Sequence, residues 1–191
     1  MNVRFGHATD AEDPDTLTRI LLIVNSAYRL AYAECLEDPE VAQKLGQHEL
    51  RDLLLETDSR NRRLLLAVAG GTIVGCVSMS TEWHGEQLGH FGLLATDPKL
   101  QQTGVARALL DRVEAECAEA GVGRIQCEQF VVQDASTNNN PVSFLSDWYL
   151  RRGFNIVSSR LVPAGLESCG TRTCLPLEML IYVKHVSSQS L

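Results

Sequence analysis

The segment LLATDPKLQQTGVARALL, residues 93–110, decides the fold of this 191-residue chain. An apolar run comes first, Asp97 and Pro98 end it, and a loop of small and polar residues then leads into a helix. Apolar residues continue through that helix at spacings of three and four, namely Ala106, Leu110, Val113, Cys117 and Ala120. The first N–H groups of a helix lack intrahelical partners, and the helix dipole adds about half a positive charge there. The segment therefore predicts a strand, a turn and a helix start that can bind an anion.

Two common phosphate-binding loops do not fit this segment. A Walker A loop needs Lys and then Ser or Thr after its last glycine, whereas Val105 and Ala106 follow Gly104. A dinucleotide fingerprint needs three glycines, and this loop has one. The alternative without a ligand is an ordinary capped helix that follows a strand.

The residues before this segment predict the first half of an α/β fold. Asp13 as N-cap and Pro14 at the first helical position mark the start of a helix. The predicted elements are a strand over residues 2–9, a helix over about 14–29, a helical patch over about 39–57 that breaks around Gly46, a hairpin that turns at Gly70-Gly71, and a strand over 87–96.

The residues after it predict a strand, a helix and two more strands. Asn140 and Pro141 are the expected N-cap and first residue of the helix, which ends at Gly153. The strands cover residues 124–132, 155–162 and 177–184, and a polar loop separates the last two. No linker or repeat interrupts the chain. The sequence thus predicts one α/β domain over residues 1–191, with a mixed central sheet of about six to seven strands and about four flanking helices.

Charge and hydropathy exclude some classes of partner. The chain has 17 Lys and Arg against 24 Asp and Glu, a formal charge of -7, so its field repels nucleic acid. That charge favours cationic amines, or it serves solubility alone. No apolar stretch is long enough for a membrane span, and the N-terminus has no signal-peptide core. We expect a cytoplasmic protein with no membrane partner.

The six cysteines do not predict a metal site. Four of them, Cys35, Cys76, Cys117 and Cys127, lie in apolar or periodic segments at no metal-ligand spacing, which is typical of buried thiols. Cys169 and Cys174 flank CGTRTC in a loop, where either free thiols or a disulfide is compatible with the sequence.

LATDPKLQQTGVARALL closely resembles the acetyl-CoA motif of the GNAT acetyltransferases. That motif has an apolar strand, a Pro turn, Gln or Arg, two residues, Gly, one residue, and Gly or Ala. The resemblance extends over nearly the whole chain. VRFGHATDAED with VNSAYR is similar to the family's first strand and helix, and DWYLRRGFNIV to its last helix and sixth strand.

The resemblance implies the activity and a coenzyme site. The activity is acetyl-CoA-dependent transfer of an acetyl group to a primary amine of a small molecule or peptide, by direct attack on the thioester, in a monomer or homodimer. The implied coenzyme-binding residues are Leu94, Ala95 and Thr96 for the pantetheine arm, and Gln101, Gln102, Thr103, Gly104, Val105 and Ala106 for the pyrophosphate. Gln102 departs from the Gly or Arg common in the family and makes the loop less cationic.

Two residues are the candidate catalytic groups by the same resemblance. Tyr149 lies four residues before Gly153, where the family carries a tyrosine that points at the coenzyme sulfur; the alternative is an aromatic packed on the sheet. His90 lies where relatives often have a glutamate, and an imidazole, with an ordinary pKa of about 6.5, can accept a proton. A structural histidine is the alternative for His90. Other candidates for the base are Glu86, His84 and Glu128, and a backbone N–H near Leu94 is the expected donor to the thioester carbonyl.

The acceptor site is implied near Tyr28 and Tyr32 and the polar segment 165–174, with Glu86 as a further candidate substrate-binding residue. Tyr28 and Tyr32 are one helical turn apart and either face the substrate or pack together. The competing functions are a non-catalytic acyl-CoA-binding or sensing module and a plain structural domain.

Overall fold

The computed structural model describes residues 1–56, 61–132, 141–165, 167–168 and 171–186. In chain order the elements are β1 (Asn2–Phe5), α1 (Ala8–Glu12), α2 (Pro14–Tyr32), α3 (Gln47–Leu54), β2 (Arg63–Ala69), β3 (Thr72–Ser80), β4 (Gly89–Thr96), α4 (Val105–Glu119), β5 (Arg124–Val132), α5 (Pro141–Arg151), β6 (Asn155–Val162), β7 (Glu167–Ser168), β8 (Thr171–Arg172) and β9 (Leu177–His185). Short 3₁₀ turns cover Ala33–Cys35 and Pro98–Leu100.

Seven strands form one mixed sheet in the order β1-β2-β3-β4-β5-β9-β6. Its neighbours are antiparallel except β4 and β5, which are parallel because α4 connects them. The predicted α/β class, mixed sheet and four long helices are confirmed. The short hairpin β7–β8 lies apart from the sheet, within the segment that the sequence predicts as loop.

Helices cover both faces of the sheet and create two apolar cores. One core joins α2 and α3 to the sheet, and the other joins α4 and α5 to it. Strand β2 supplies Leu64 and Leu66 to the first core and Leu65 and Ala67 to the second. Successive strand residues point to opposite faces, so one apolar run contributes to both layers.

The first predicted strand is too long, because residues 8–12 form α1. Asp10 starts this helix by accepting a 2.8 Å hydrogen bond from the His7 N–H. The same carboxylate forms a two-pronged ion pair with Arg4 of β1, at 2.7 and 2.8 Å. These contacts turn the chain after Phe5, so β1 ends there.

The predicted helical patch over residues 39–57 does break at Gly46, which is the N-cap of α3, but its first part, residues 39–46, is not helical. Helix α3 begins only at Gln47, and Thr57, its expected end, lies outside the described residues. The Asn25 side chain holds the buried Leu45 by accepting from its N–H at 3.0 Å and donating to its carbonyl at 3.1 Å. Residues 36–46 therefore form an irregular segment along α2.

The buried cysteines are inert thiols at neutral pH. Burial raises the pKa of Cys76 and of Cys117 to about 12, which keeps both protonated. Cys174 is an exposed free thiol, and Cys169 lies outside the described residues, as does the expected N-cap Asn140. Within the described ranges, no cluster of three or more His, Cys, Asp or Glu side chains could hold a metal ion. No described helix is both long and apolar enough to cross a membrane.

Replacing Gly75 by valine should destabilise the fold. A Cβ atom at this β3 position would lie 2.8 Å from Val105 Cγ1 and 2.9 Å from the Ala95 carbonyl oxygen, so the start of α4 would have to move away. We expect the free energy of unfolding to fall by about 1–3 kcal/mol or more, measured by urea denaturation. Gly123→Ala is the control, because a Cβ there meets no atom within 4 Å. Equal losses in the two variants would contradict this packing argument.

Candidate functional site

The central parallel strands separate shortly after they begin. β4 and β5 pair only at Gly89 with Ile125 and at His90 with Gln126. Beyond those two pairs the strands diverge, and a gap opens toward their carboxyl ends. Ligands of α/β sheets bind at this kind of opening.

A β-bulge in β4 faces the gap. Opposite β3, the register moves from Cys76 with Ala95 to Ser78 with Gly92, so Leu93 and Leu94 together oppose one residue. Leu93 has a φ of 50°, a left-handed conformation that costs of order 1–3 kcal/mol in a branched residue. Neither ladder gives Leu93 or Leu94 a cross-strand partner. The backbone of Leu94 is thereby released from the sheet at the gap.

An ion pair to α2 anchors the loop that follows β4. Asp97 accepts a hydrogen bond from the Lys99 N–H at 2.9 Å and pairs with Arg19 at 2.5 Å. These two contacts, the backbone donor first, lower the pKa of Asp97 below its ordinary value. Arg19 also donates to the Ile73 carbonyl at 2.9 Å, which ties the loop to β3.

The loop ends in an uncapped helix N-terminus. Gly104 precedes α4 with a φ of 91°, and no side chain of the described residues caps it. A Cβ at Gly104 would meet no atom within 4 Å, so space is open in front of the first helical N–H groups. Gln102 is also left-handed, with a φ of 62°, and the Thr103 hydroxyl is turned away to the Leu100 carbonyl at 2.6 Å. The result is a helix start whose backbone donors have no side-chain cap, an arrangement suited to a phosphate group.

A cleft of about 580 Å³, open to solvent, occupies the gap. Helix α2 supplies Ala27, Tyr28, Ala31 and Tyr32; β4 supplies Phe91, Gly92, Leu93 and Leu94; β5 supplies Cys127, Glu128 and Gln129; and α5 supplies Leu145 and Tyr149. The structure thus brings the predicted residues Leu94, Tyr149, Tyr28 and Tyr32 together. Ala95 and Thr96 continue β4 toward the loop.

Tyr149 lies at the base of this cleft, 4% exposed and packed among other rings. Its ring centroid is 5.9 Å from that of Phe91 and 5.3 Å from that of Tyr182. The Tyr149 hydroxyl makes no hydrogen bond to a described residue. Burial above all raises its pKa well beyond the ordinary 10, so Tyr149 is a protonated donor throughout the neutral range.

His90 acts on the cleft through Glu128. The His90 ring is 5% exposed, stacked flat on Trp83 at 3.6 Å between centroids, and its Nε2 lies 2.7 Å from Glu128 Oε2. Gln126 donates to the other Glu128 oxygen at 2.7 Å. Burial raises the pKa of Glu128, but the His90 contacts and the Gln126 hydrogen bond together hold it below its ordinary value. Glu128 is therefore a carboxylate at neutral pH, and it lines the cleft where His90 does not.

Glu86 and His84 lie in the exposed turn between β3 and β4. The Glu86 side chain is 69% exposed and reaches Arg124 at 3.9 Å. This turn and Arg124 lie at the amino ends of the parallel strands β4 and β5. The loop before α4 lies at the opposite, carboxyl end of β4. Contrary to the expectation from the sequence, Glu86 does not line the acceptor cleft. Gln126 and Glu128 alternate along β5 with the buried residues Ile125 and Cys127. This alternation in the sequence could have indicated that Glu128 lies on the less buried face of the strand.

A second pocket of about 490 Å³, here called the side pocket, adjoins the cleft. Its lining residues are Tyr28, Arg29, Tyr32, Cys35, Leu36, Ala42, Lys44, Phe130, Thr173 and Leu177. Tyr28 and Tyr32 stack at 6.0 Å and border both spaces. A backbone bridge between Leu36 and Thr173 closes the far side. The side pocket includes Tyr28, Tyr32 and Thr173, and the sequence predicts the acceptor site near these residues.

Comparisons with known proteins agree with this geometry. Residues 24–140 match the family model described as "Acetyltransferase (GNAT) family". The structure is similar to an aminoglycoside 6'-N-acetyltransferase complexed with coenzyme A (TM-score 0.63, 13% identity, 100% of both chains). It also resembles the PaiA N-acetyltransferase from Thermoplasma acidophilum in complex with coenzyme A (0.63, 14%, 97% of this chain and 99% of that one). A third similar structure is a ribosomal-protein-alanine N-acetyltransferase from Brucella melitensis (0.64, 16%, 97% and 99%). No curated protein sequence matches significantly.

Proposed function

Because the chain belongs to the GNAT acetyltransferase family, we propose that it uses acetyl-CoA to acetylate a primary amine by direct attack on the thioester. One observation carries this proposal: the bulged strand β4, a half-buried carboxylate and a buried tyrosine line one cleft, and β4 leads from that cleft to the uncapped N-terminus of α4. Two of the structurally similar N-acetyltransferases are complexes with coenzyme A.

The residues present fit the coenzyme. The backbone from Gln101 to Ala106 would hold the pyrophosphate at the start of α4, where space is open in front of Gly104. The bulged segment Leu94 to Thr96 would hold the pantetheine arm against the free edge of β4. Acetyl-CoA supplies the activated acetyl group as a thioester, and the Leu94 N–H is the proposed donor to its carbonyl oxygen.

Glu128 is the proposed acceptor of the amine proton. Amines with pKa values near 10.4 arrive protonated, so the nitrogen must lose a proton before or as it bonds to the acetyl carbon. The Glu128 carboxylate faces the cleft and also attracts the cationic nitrogen. His90 and Gln126 fix both carboxylate oxygens, so we propose that His90 positions Glu128.

Tyr149 is the proposed donor to the sulfur that leaves. As the carbon–sulfur bond breaks, Tyr149 gives its phenolic proton to the thiolate and the phenolate takes the second proton of the attacking nitrogen, so the products are the acetamide and free thiol and the phenol is restored. Tyr149 lines the same cleft as Leu94, which fits a role beside the thioester.

The experiment that tests this function measures free thiol released from acetyl-CoA in the presence of amines and peptides. We expect at least one primary amine to accelerate thiol release in a saturable way, with an N-acetylated product confirmed by mass spectrometry. Coenzyme binding by calorimetry without acceleration by any amine would instead support the non-catalytic acyl-CoA-binding module.

Tyr149→Phe should slow turnover more than it weakens coenzyme binding. The substitution removes only the hydroxyl from a packed ring, so the aromatic cluster with Phe91 and Tyr182 remains. We expect kcat to fall about 10- to 100-fold, toward the low end of general-acid effects, because a thiolate of pKa near 8.5 is already a fair leaving group. The dissociation constant for CoA should change less than about threefold. Undiminished kcat in the variant would remove Tyr149 from the mechanism.

A further inference from the structure

The side pocket has an apolar wall and a cationic rim. Tyr28, Tyr32, Phe130 and Leu177 dominate its surface, and the charged residues that line it are Arg29 and Lys44. No Asp or Glu lines the side pocket among the described residues.

Both cations lack an ionic partner within the described part of the chain. Lys44 lies above the Tyr28 ring, with Nζ 5.2 Å from its centroid. The Arg29 Nε donates a hydrogen bond to the Ala42 carbonyl at 2.7 Å. Neither side chain forms an ion pair with a described carboxylate. Partly buried cations beside an apolar wall favour a ligand that brings its own negative charge.

Thr173 supplies a second, independent sign of a ligand. This residue is 2% exposed, lines the side pocket, and its hydroxyl has no hydrogen-bond partner among the described residues. A buried hydroxyl left unpaired costs about 1–3 kcal/mol, and a polar group of a bound molecule would satisfy it.

The side pocket and the proposed proton acceptor lie on one strand. Phe130 and Glu128 are two residues apart on β5, so they share a face of the strand at a separation of about 7 Å. Tyr28 and Tyr32 border both the cleft and the side pocket. A molecule with its amine at Glu128 can thus place a ring against Phe130.

We propose that the acceptor is a small amine with an aromatic or bulky apolar body and an anionic group, of the kind found in an aromatic amino acid. This inference rests on the proposed function and names its substrate class. The amine faces Glu128, the apolar body fills the side pocket, and the anionic group pairs with Lys44 and Arg29. The overall charge of -7 favours polyamines and amino sugars at long range, but the charges that line the side pocket oppose them.

Binding of acetylated products tests the pocket without requiring turnover. Calorimetry in the presence of CoA would compare N-acetylphenylalanine, its amide, and N-acetylspermidine. We expect N-acetylphenylalanine to bind at least about tenfold more tightly than either of the others, since one charge-assisted contact is worth about 1.5–3 kcal/mol. Equal or tighter binding of the amide indicates a peptide-like acceptor, and tighter binding of the spermidine product indicates a polycation. Either result overturns the proposal.

Lys44 variants test whether Lys44 binds the anionic group of the ligand. Lys44→Met should remove the preference for N-acetylphenylalanine over its amide, whereas Lys44→Arg should retain it. A preference unchanged in Lys44→Met overturns the assigned contact.

Thiol-release assays with phenylalanine and spermidine then distinguish failure of the proposed substrate class from failure of the proposed N-acetyltransferase function. Faster acetylation of spermidine leaves the N-acetyltransferase function standing and rejects only this substrate class, while product binding without any amine-dependent turnover rejects the function and keeps the pocket.

Discussion

Gly104→Glu should abolish coenzyme binding while the protein stays folded. Gly104 has a φ of 91°, and the space in front of it is open. A glutamate there would strain the turn and place a carboxylate where the proposed pyrophosphate binds. Both effects act against the ligand, so we expect the dissociation constant for CoA to rise at least about 100-fold, a loss of about 2.7 kcal/mol or more. Isothermal calorimetry with CoA measures the effect directly.

The other end of α4 provides a matched control. Gly121 follows this helix with a φ of 71°, and a Cβ there would meet only the end of the Gln87 side chain at 4.0 Å. Gly121→Glu therefore introduces similar backbone strain and the same charge far from the proposed cradle. We expect it to lower the melting temperature about as much as Gly104→Glu but to retain CoA affinity. Full affinity in Gly104→Glu, or equal losses in the two variants, would mean that the α4 start is not the phosphate site.

Glu128→Gln should lower kcat about 10²- to 10⁴-fold, the range expected for loss of a general base. Glutamine keeps the size and the hydrogen-bonding reach toward His90 and Gln126 but cannot accept a proton from the amine. CoA affinity should stay near that of the unchanged protein, because Glu128 lies on β5 rather than on the coenzyme loop. Single-turnover assays with acetyl-CoA and a saturating amine measure the chemical step.

The pH dependence follows from the lowered pKa of Glu128. Burial raises that pKa, but the hydrogen bonds to His90 and Gln126 lower it by more. The carboxylate is therefore charged at every pH above 4.5, the ordinary pKa of a glutamate. The contribution of Glu128 to stability is present above that pH and is lost as the pH falls through the lower pKa of the folded state.

Glu86→Gln is the control for the kcat of Glu128→Gln, since Glu86 is exposed outside the cleft. If Glu86→Gln impaired kcat and Glu128→Gln did not, the base would be misassigned.

The sequence predicted the parts of this fold that local patterns determine. The strand, turn and helix from Leu93 to Glu119 follow from apolar spacing and from Pro98, and the structure has all three. Helix α1 was missed because Asp10 is held by Arg4 from the neighbouring strand, a contact that no helix propensity encodes. The irregular segment before α3 likewise depends on Asn25, twenty residues away from Leu45.

The candidate site was predictable only in outline. Tyr149, Leu94 and Gly104 could be chosen from motif position, but the bulge in β4 depends on its register with β3 and its early separation from β5. His90 and Glu128 are 38 residues apart, and only the parallel pairing of His90 with Gln126 brings them into contact. Choosing between them therefore required the sheet register.

The Leu36–Thr173 bridge lies in a part of the chain separate from the proposed coenzyme loop, and this separation affects how the protein can evolve. It joins the segment after α2 to the residue that follows β8, whereas the proposed coenzyme contacts come from residues 94–106. Substitutions at the two bridged segments can accumulate without disturbing the loop before α4. Descendants of this chain could thus exchange one acceptor for another in small steps, each of them still charged by the same acetyl donor.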